Sequence, residues 1–380
     1  MKKMKTITLF FLSGLLMITL FICCTDNGEG KEKGYRSPSK DIKYKEEFVR
    51  IENKADNATL AGTLVIPQSN EPVPAVILLS GSGFQDRDET VYGHKPFKVI
   101  ADFLSSRGIA VLRYDDRSIG GSTGDIYNAT IYNFSADALA ALEYLKKKKQ
   151  IDPEKIGLIG HSEGALVASI AASESDDVSF IIMMSGLGIP WFENSYFAVE
   201  HGLNILGKSD EIIKANQRLM RIIYDVVKKG DNTSSTERSL NNEISRWRNS
   251  LTGEVKKEID SFTRNNSGHW EKLANQFAEP PYRFYASFDP ASVLIKVKCP
   301  ILALCGEKDV QISADENLKK IEQIIKESGN TNYEIHKLKD HNHLLQRCET
   351  GLTSEYSEIE ESFSPVVLEM IYSWINRLAK

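Results

Sequence analysis

Cysteine is scarce in this 380-residue chain: of five, two stand side by side at Cys23 and Cys24, leaving Cys299, Cys305 and Cys348. An odd remainder excludes a multi-disulfide scaffold, and Cys299 and Cys305, in or beside an apolar run, read as small buried hydrophobes. Positive charge is not in excess either. Lys and Arg number 47 against 52 Asp and Glu, a net charge of −5, and the only dense basic run is 146–149. A nucleic-acid binder shows a basic face, so no nucleic-acid partner is expected. The run closes a helical pattern, where lysines complement the negative end of the helix dipole. Internal repeats and low-complexity tracts are missing. No Cys/His group stands at metal-ligand spacing, the pair His341 and His343 included, and no cofactor is implied. With 41% hydrophobic residues, the chain can nevertheless bury a full core.

What is present centres on residues 155–172, KIGLIGHSEGALVASIAA. The pentapeptide G-x-S-x-G arises by chance in about one chain in ten of this length, so its surroundings must carry the argument. Ile156, Leu158 and Ile159 form a strand-like run directly before it; Ala165, Leu166, Ala168, Ile170, Ala171 and Ala172 form a helical run directly after. A serine hydroxyl is a weak nucleophile, and a sharp strand-to-helix turn exposes it beside free backbone N–H groups. Gly160 and Gly164 lack the Cβ atoms that would collide in such a turn, and Ser162 sits at the positive end of the following helix.

Together with SGSGFQDRDE (80–89), RYDDRSIGGSTG (113–124) and IDPEKIGLIGHSEGA (151–165), the turn resembles the alpha/beta-hydrolase superfamily, in its bacterial carboxylesterase and dienelactone-hydrolase-like branch. The resemblance runs from about Glu47 onward, apart from a divergent middle. It implies an α/β fold with a mostly parallel central sheet flanked by helices, and a helical cap inserted after the sixth strand. Local patterns agree. Strand-like runs at 47–53, 59–67, 75–80 and 109–114 alternate, after the first hairpin, with helical runs at 96–107 and 134–148, and 178–185 reads as another buried strand.

Residues 81–83, Gly-Ser-Gly, follow the apolar strand at 75–80; taken alone they are an ordinary glycine turn, but the family places one oxyanion-hole donor there and another after the nucleophile. The resemblance therefore assigns the backbone N–H groups of Ser82 and Glu163, with Gly83 second to Ser82. Arg87, between Asp86 and Asp88, reads as a surface or loop-fixing ion pair rather than a metal or catalytic acid site. From 186 to about 285 strand patterns vanish and polar helical ones appear at 193–206, 211–228, 236–251 and 253–263, which the resemblance makes a lid over the nucleophile. Beyond Pro300 a strand (301–305), a helix (314–327) and a strand (333–338) resume the alternation, and a helix at 366–378 closes the chain. The family's order of Ser, Asp, His falls on Ser162, Asp309 and His343. His343 is preferred over His341 because Leu344 and Leu345 follow it, whereas Lys339 and Asp340 give His341 a wetter setting.

The chain starts differently. Lys2, Lys3 and Lys5 precede an uncharged, mostly apolar run at 6–22 that ends at Cys23 and Cys24, and the whole resembles a bacterial lipoprotein signal. Cys24, preceded by a small residue, is the preferred lipidation site over Cys23. A plain signal-anchor is the alternative, since the run approaches the roughly 20 residues that span a bilayer. The expected organisation is a signal at 1–24, a flexible linker at 25–45, a hydrolase core at 46–185 and 291–380, and a helical cap at 186–290. The expected protein is an extracytoplasmic, membrane-tethered serine hydrolase acting on a small-molecule carboxylic ester. A serine aminopeptidase or thioester hydrolase on the same fold is the alternative, although no propeller pattern precedes Glu47; a non-catalytic binding lipoprotein would be expected to lack a member of the triad.

Overall fold

The computed structural model describes residues 44–264 and 268–378. The signal, most of the linker and both Cys23 and Cys24 lie outside the described residues. Among the described residues, no helix is long and apolar enough to cross a membrane.

The chain divides into two compact units. The larger, built from residues up to Ser195 and again from Phe284, holds one eight-stranded sheet in the order β1-β2-β4-β3-β5-β6-β7-β8. Strands β1 (Tyr44–Asn53) and β2 (Ala58–Pro67) form the hairpin, with Asn57 at φ 50° in the turn, where asparagine tolerates the left-handed region. Then come β3 (Val73–Leu79), α1 (Pro96–Ser105), β4 (Ala110–Tyr114), α2 (Ile131–Lys146), β5 (Ile151–His161), α3 (Glu163–Glu174) and β6 (Phe180–Met184). β1 to β2 and β2 to β4 pair antiparallel; every pairing from β4 through β3, β5, β6, β7 (Ile301–Gly306) and β8 (Tyr333–Leu338) is parallel.

Parallel strands need crossovers and end up covered on both faces, which is why β3, β6 and β7 are apolar throughout rather than alternating. Their core includes Leu78, Ile159, Ile182 and Leu304, packed with Phe97, Ile100 and Leu104 of α1 and with Ile371, Trp374 and Ile375 of the closing helix. Because the strands run the same way, the loops after β3, β5, β7 and β8 emerge at one edge of the sheet, where ligands bind in open α/β sheets. Cys305 is fully buried in β7, as its apolar setting suggested, while Cys299 is only half-buried.

The second unit, Tyr196–Arg283, is all helix and lies within the segment expected as a cap. Helix α4 (Trp191–Ile205) enters it; α5 (Asp210–Lys229), α6 (Thr233–Ser250), α7 (Gly253–Arg264) and α8 (His269–Ala278) follow. α5 shows why these polar sequences fold: Ile212, Leu219, Ile223 and Val227 recur at helical spacing on one buried face. Trp247, buried on α6, donates its indole N–H to the Ala215 carbonyl at 3.1 Å and meets Trp270 edge-on, centroids 5.4 Å apart. α9 (Pro280–Ser287), missing from the sequence reading, starts on two prolines, which suit the first helical turn because its N–H groups have no partner in the helix. α10 (Ala291–Leu294), α11 (Ala314–Glu327), α12 (Thr353–Tyr356) and α13 (Pro365–Leu378) belong to the rest of the chain.

Candidate active site

Ser162 stands between β5 and α3 with φ 53° and ψ −114°, a conformation a non-glycine residue adopts only under constraint. The constraint is visible. The Ser162 N–H donates to the Met184 carbonyl of β6 at 2.8 Å, and its own carbonyl accepts from the Ala165 N–H at 3.1 Å. A Cβ on Gly160 would lie 2.0 Å from the Gly164 carbonyl oxygen. Only glycine lets strand and helix approach so closely. The Ser162 hydroxyl has no hydrogen-bond partner among the described residues.

The loop after β3 passes directly against this turn: a Cβ on Gly81 would sit 3.4 Å from the Ser162 Cβ. The Gly81 N–H is already taken, donating to Glu89 Oε1 at 2.7 Å. The N–H groups of Ser82, Gly83 and Glu163 have no partner among the described residues. The loop is held by Ser80, whose hydroxyl donates to Asp116 Oδ1 at 2.7 Å, and by the Gln85 N–H, which donates to Asp116 Oδ2 at 3.0 Å.

Asp309 follows β7 and His343 follows β8, and the two meet: His343 Nδ1 lies 2.8 Å from Asp309 Oδ2, both side chains buried. Asp309 Oδ1 accepts from the N–H groups of Gln311 and Ile312, each at 2.8 Å. Burial resists charge on this carboxylate, but His343 and the two N–H donors outweigh it and hold Asp309 below the usual carboxylate range. With a carboxylate facing Nδ1, that nitrogen carries the hydrogen and Nε2 is left as a base. His343 Nε2 has no partner among the described residues. The His343 carbonyl accepts from the Ser185 hydroxyl at 3.2 Å and from His161, next to Ser162.

His341 is elsewhere. Its Nδ1 is 2.7 Å from the Lys339 carbonyl and its Nε2 is 2.9 Å from the Ser364 hydroxyl. The wetter position expected for it is a misreading: His341 is buried, because its ring bridges its own loop and the start of α13. Leu344 and Leu345 are buried, as an anchor for the His343 loop requires.

The acidic tripeptide at 86–88 does fix a loop, but with distant partners. Arg87 pairs with Asp115, Nη2 to Oδ2 at 2.6 Å, and Asp88 pairs with Arg113 of β4. Asp86 instead accepts from the Asp88 and Thr90 N–H groups, each at 3.0 Å.

Sequence reasoning missed three groups around the turn. Asp116 is buried and its carboxyl is pushed up to about 8, chiefly by desolvation, against the opposing help of Ser80 and Gln85. The Glu163 side chain is half-buried; desolvation raises its pKa, and its carboxylate accepts from the Tyr285 hydroxyl. With Ser80, Gly81, Tyr114 and Phe134 these two carboxyls line a pocket beside Ser162. The third group is the pair of Glu89 and His161. No local pattern flags any of them, since each partner lies far off in sequence.

An eight-stranded, mostly parallel sheet with a serine on the strained turn after β5 is the α/β-hydrolase architecture. Solved structures share it: an esterase of Pyrococcus furiosus, Pf2001, superposes with a TM-score of 0.52 at 16% identity, covering 91% of this chain and 96% of that one. The α/β hydrolase GrgF of a Penicillium species gives 0.51 at 18%, covering 88% and 99%. More specifically, the model of the X-Pro dipeptidyl-peptidase (S15) family matches residues 56–327, and the chain belongs to that family. Among curated relatives, the esterase EstD of Thermotoga maritima is 27% identical over 292 residues, 75% of this chain and 58% of its own length. An acyl transferase of Shewanella hanedai is 33% identical over 125 residues, 33% of this chain and 37% of its own. The chain thus spans less than two thirds of both.

Proposed function

We propose that the chain hydrolyses carboxylic esters through an acyl-enzyme on Ser162, with His343 as general base and acid, Asp309 as its orienting carboxylate, and the N–H groups of Ser82 and Glu163 as the oxyanion hole. The observation that carries the reading is a histidine whose Nδ1 is committed to a buried carboxylate at 2.8 Å, on a loop whose main chain accepts from His161, the residue before the strained turn at Ser162.

In this scheme His343 Nε2 takes the Ser162 proton as Oγ attacks the acyl carbon. The oxygen of the tetrahedral intermediate gains a negative charge, met by the two N–H groups. Fixed before that charge develops, each donor is worth about 3 kcal/mol. His343 then returns the proton to the departing alcohol, and a water molecule repeats the sequence to release the acid. Glu89 occupies the Gly81 N–H and removes it as a donor, leaving Ser82, with Gly83 second, in the loop after β3.

The family's description favours a second reading, cleavage of peptide bonds by the same residues. A panel of p-nitrophenyl esters of graded chain length, run beside aminoacyl and Xaa-Pro anilides, separates the two. Turnover of the esters with silent anilides is the expected result; the reverse overturns the ester reading in favour of the peptidase. In both cases a fluorophosphonate should label Ser162, and labelling that survives Ser162→Ala would remove the serine from the mechanism.

The residues at 1–24 support a further proposal, that a lipid on Cys24 or Cys23 tethers the protein to a membrane outside the cytoplasm.

A further inference from the structure

The ester-cleaving scheme leaves a buried ionisable pair beside Ser162 unused. His161 ends β5, immediately before Ser162, and Glu89 lies in the loop after β3; both are buried. His161 Nδ1 is 2.8 Å from Glu89 Oε1, the same oxygen that accepts the Gly81 N–H at 2.7 Å. On its other side, His161 Nε2 is 3.0 Å from the main-chain oxygen of His343.

The protons follow from the partners. A carbonyl oxygen only accepts, so Nε2 carries a hydrogen. Nδ1 faces a carboxyl group, and a bare lone pair against an ionised carboxylate at that distance would be repulsive, so a further proton lies between them. Histidine holds it in preference to glutamate, whose ordinary pKa is about 4.3 against about 6.5. The His343 carbonyl reinforces the choice by accepting from the charged ring. Burial opposes a charged His161, but the attraction and hydrogen bond of Glu89, with lesser help from the His343 carbonyl and Asp309, outweigh it and raise the imidazole above the ordinary histidine range.

We propose that His161 is a standing imidazolium, paired with an ionised Glu89, and that the pair is a positioning device: it ties the oxyanion loop through Gly81, and the base loop through the His343 carbonyl, to the strand that presents Ser162. The proposal rests on the roles given above to Ser162 and His343. Charge stabilisation is not its purpose. The His161 ring centroid is 4.8 Å from that of His343, where a lone positive charge would oppose the imidazolium that forms on His343 during catalysis. Glu89 in direct contact cancels most of that field, leaving geometry as the contribution. The groups facing His161 are Glu89 from the loop after β3, Asp309 from the loop after β7, and His343 from the loop after β8.

The sign of the pH dependence is fixed. A histidine raised by its partner keeps the clamp below its ordinary value and loses it as pH climbs through the raised one, so the pair contributes an alkaline limb to kcat. Glu89→Gln keeps the shape but not the charge. One amide oxygen can still accept from Gly81, yet the His161 cation then has no counter-charge. The expected result is a fall in kcat of about a hundredfold, as for a small misplacement of catalytic groups, with KM nearly unchanged and the alkaline limb moved to lower pH. Wild-type kcat with an unmoved limb would overturn the proposal.

A second measurement does not depend on the variant folding. In wild-type protein with 15N-labelled histidine, His161 should show hydrogens on both ring nitrogens at a pH above the ordinary histidine value of about 6.5. A neutral ring with a bare Nδ1 there would overturn the pair. Needing no substrate, this reading decides the proposal even for a protein that cleaves no ester, an outcome that counts against the hydrolase function and not against the pair.

Discussion

A Cβ placed on Gly164 would stand 2.1 Å from the carbonyl oxygen of Leu79, the last residue of β3. Two opposing effects meet at this position. Alanine is the better helix former by about 1 kcal/mol, and Gly164 is the second residue of α3. Against that gain stands a contact far inside van der Waals distance with backbone, which cannot swing away as a side chain could.

The clash should win. Gly164→Ala is expected to lower stability by a net of about 1–3 kcal/mol, as overpacked sites do, and to lose activity ahead of its fold, because the strand end that must move leads straight into the loop at 81–83. Urea unfolding followed by circular dichroism, beside ester turnover, checks both. An unchanged unfolding midpoint would mean that β3 and α3 can separate freely.

Asp116 makes a prediction about pH. Its carboxyl is pushed up to about 8 by burial, so the folded protein holds a proton there that the unfolded chain releases near about pH 3.9. Wherever the folded state binds more protons, stability falls as pH rises, here between those two values. Asp116→Asn removes the titration while keeping groups able to bond Ser80 and the Gln85 N–H. The melting temperature of the variant should exceed that of the wild type by a margin that widens from about pH 4 to about pH 8 and then levels off. A margin independent of pH would show that Asp116 is ionised in the fold.

How much could be read from the sequence depended on how local each feature is. The turn at Ser162 is written in five consecutive residues, and a Cβ on either of its two glycines would meet backbone at 2.0 or 2.1 Å. The elements α11 and β8 fall at 314–327 and 333–338, matching their apolar periodicity to the residue. By contrast, Glu89 and His161 stand 72 residues apart, and nothing near either one marks it as a partner. Arg87 has carboxylates on both sides in sequence but uses Asp115, because the loop turns its side chain toward the end of β4. His341 was misjudged for the same reason. Its neighbours Lys339 and Asp340 are polar, yet Ser364, supplied by the segment before α13, makes its site dry.

The tether proposal is tested at residues outside the described part of the chain. A single acyl chain holds a protein to a membrane only marginally, so stable anchoring needs several, as a lipoprotein N-terminus supplies. Changing Cys23 and Cys24 together to Ala should abolish fatty-acid labelling of the membrane-bound protein. Equal labelling of the double variant would leave the plain signal-anchor as the reading of 6–22.

The two histidines of the loop after β8 offer the sharpest separation of catalysis from structure. Both are buried, and only one residue lies between them, so a difference in behaviour cannot come from location alone. His343 meets Asp309 at 2.8 Å and keeps Nε2 unpartnered among the described residues, whereas His341 uses one nitrogen on Lys339 and the other on Ser364. In the proposed scheme His343 acts with Ser162 as a unit, so His343→Ala should reduce kcat by about 10⁴- to 10⁶-fold, close to the effect of Ser162→Ala, with little change in unfolding midpoint. His341→Ala should do the opposite. It strands the buried Ser364 hydroxyl, and an unsatisfied buried group costs about 1–3 kcal/mol, so stability should drop while the surviving folded protein keeps most of its turnover. Rates normalised to the fraction folded, together with the midpoints, distinguish the two. If instead His341→Ala removed turnover and His343→Ala mainly lowered the midpoint, the base would be misassigned even with Ser162 still carrying the acyl group.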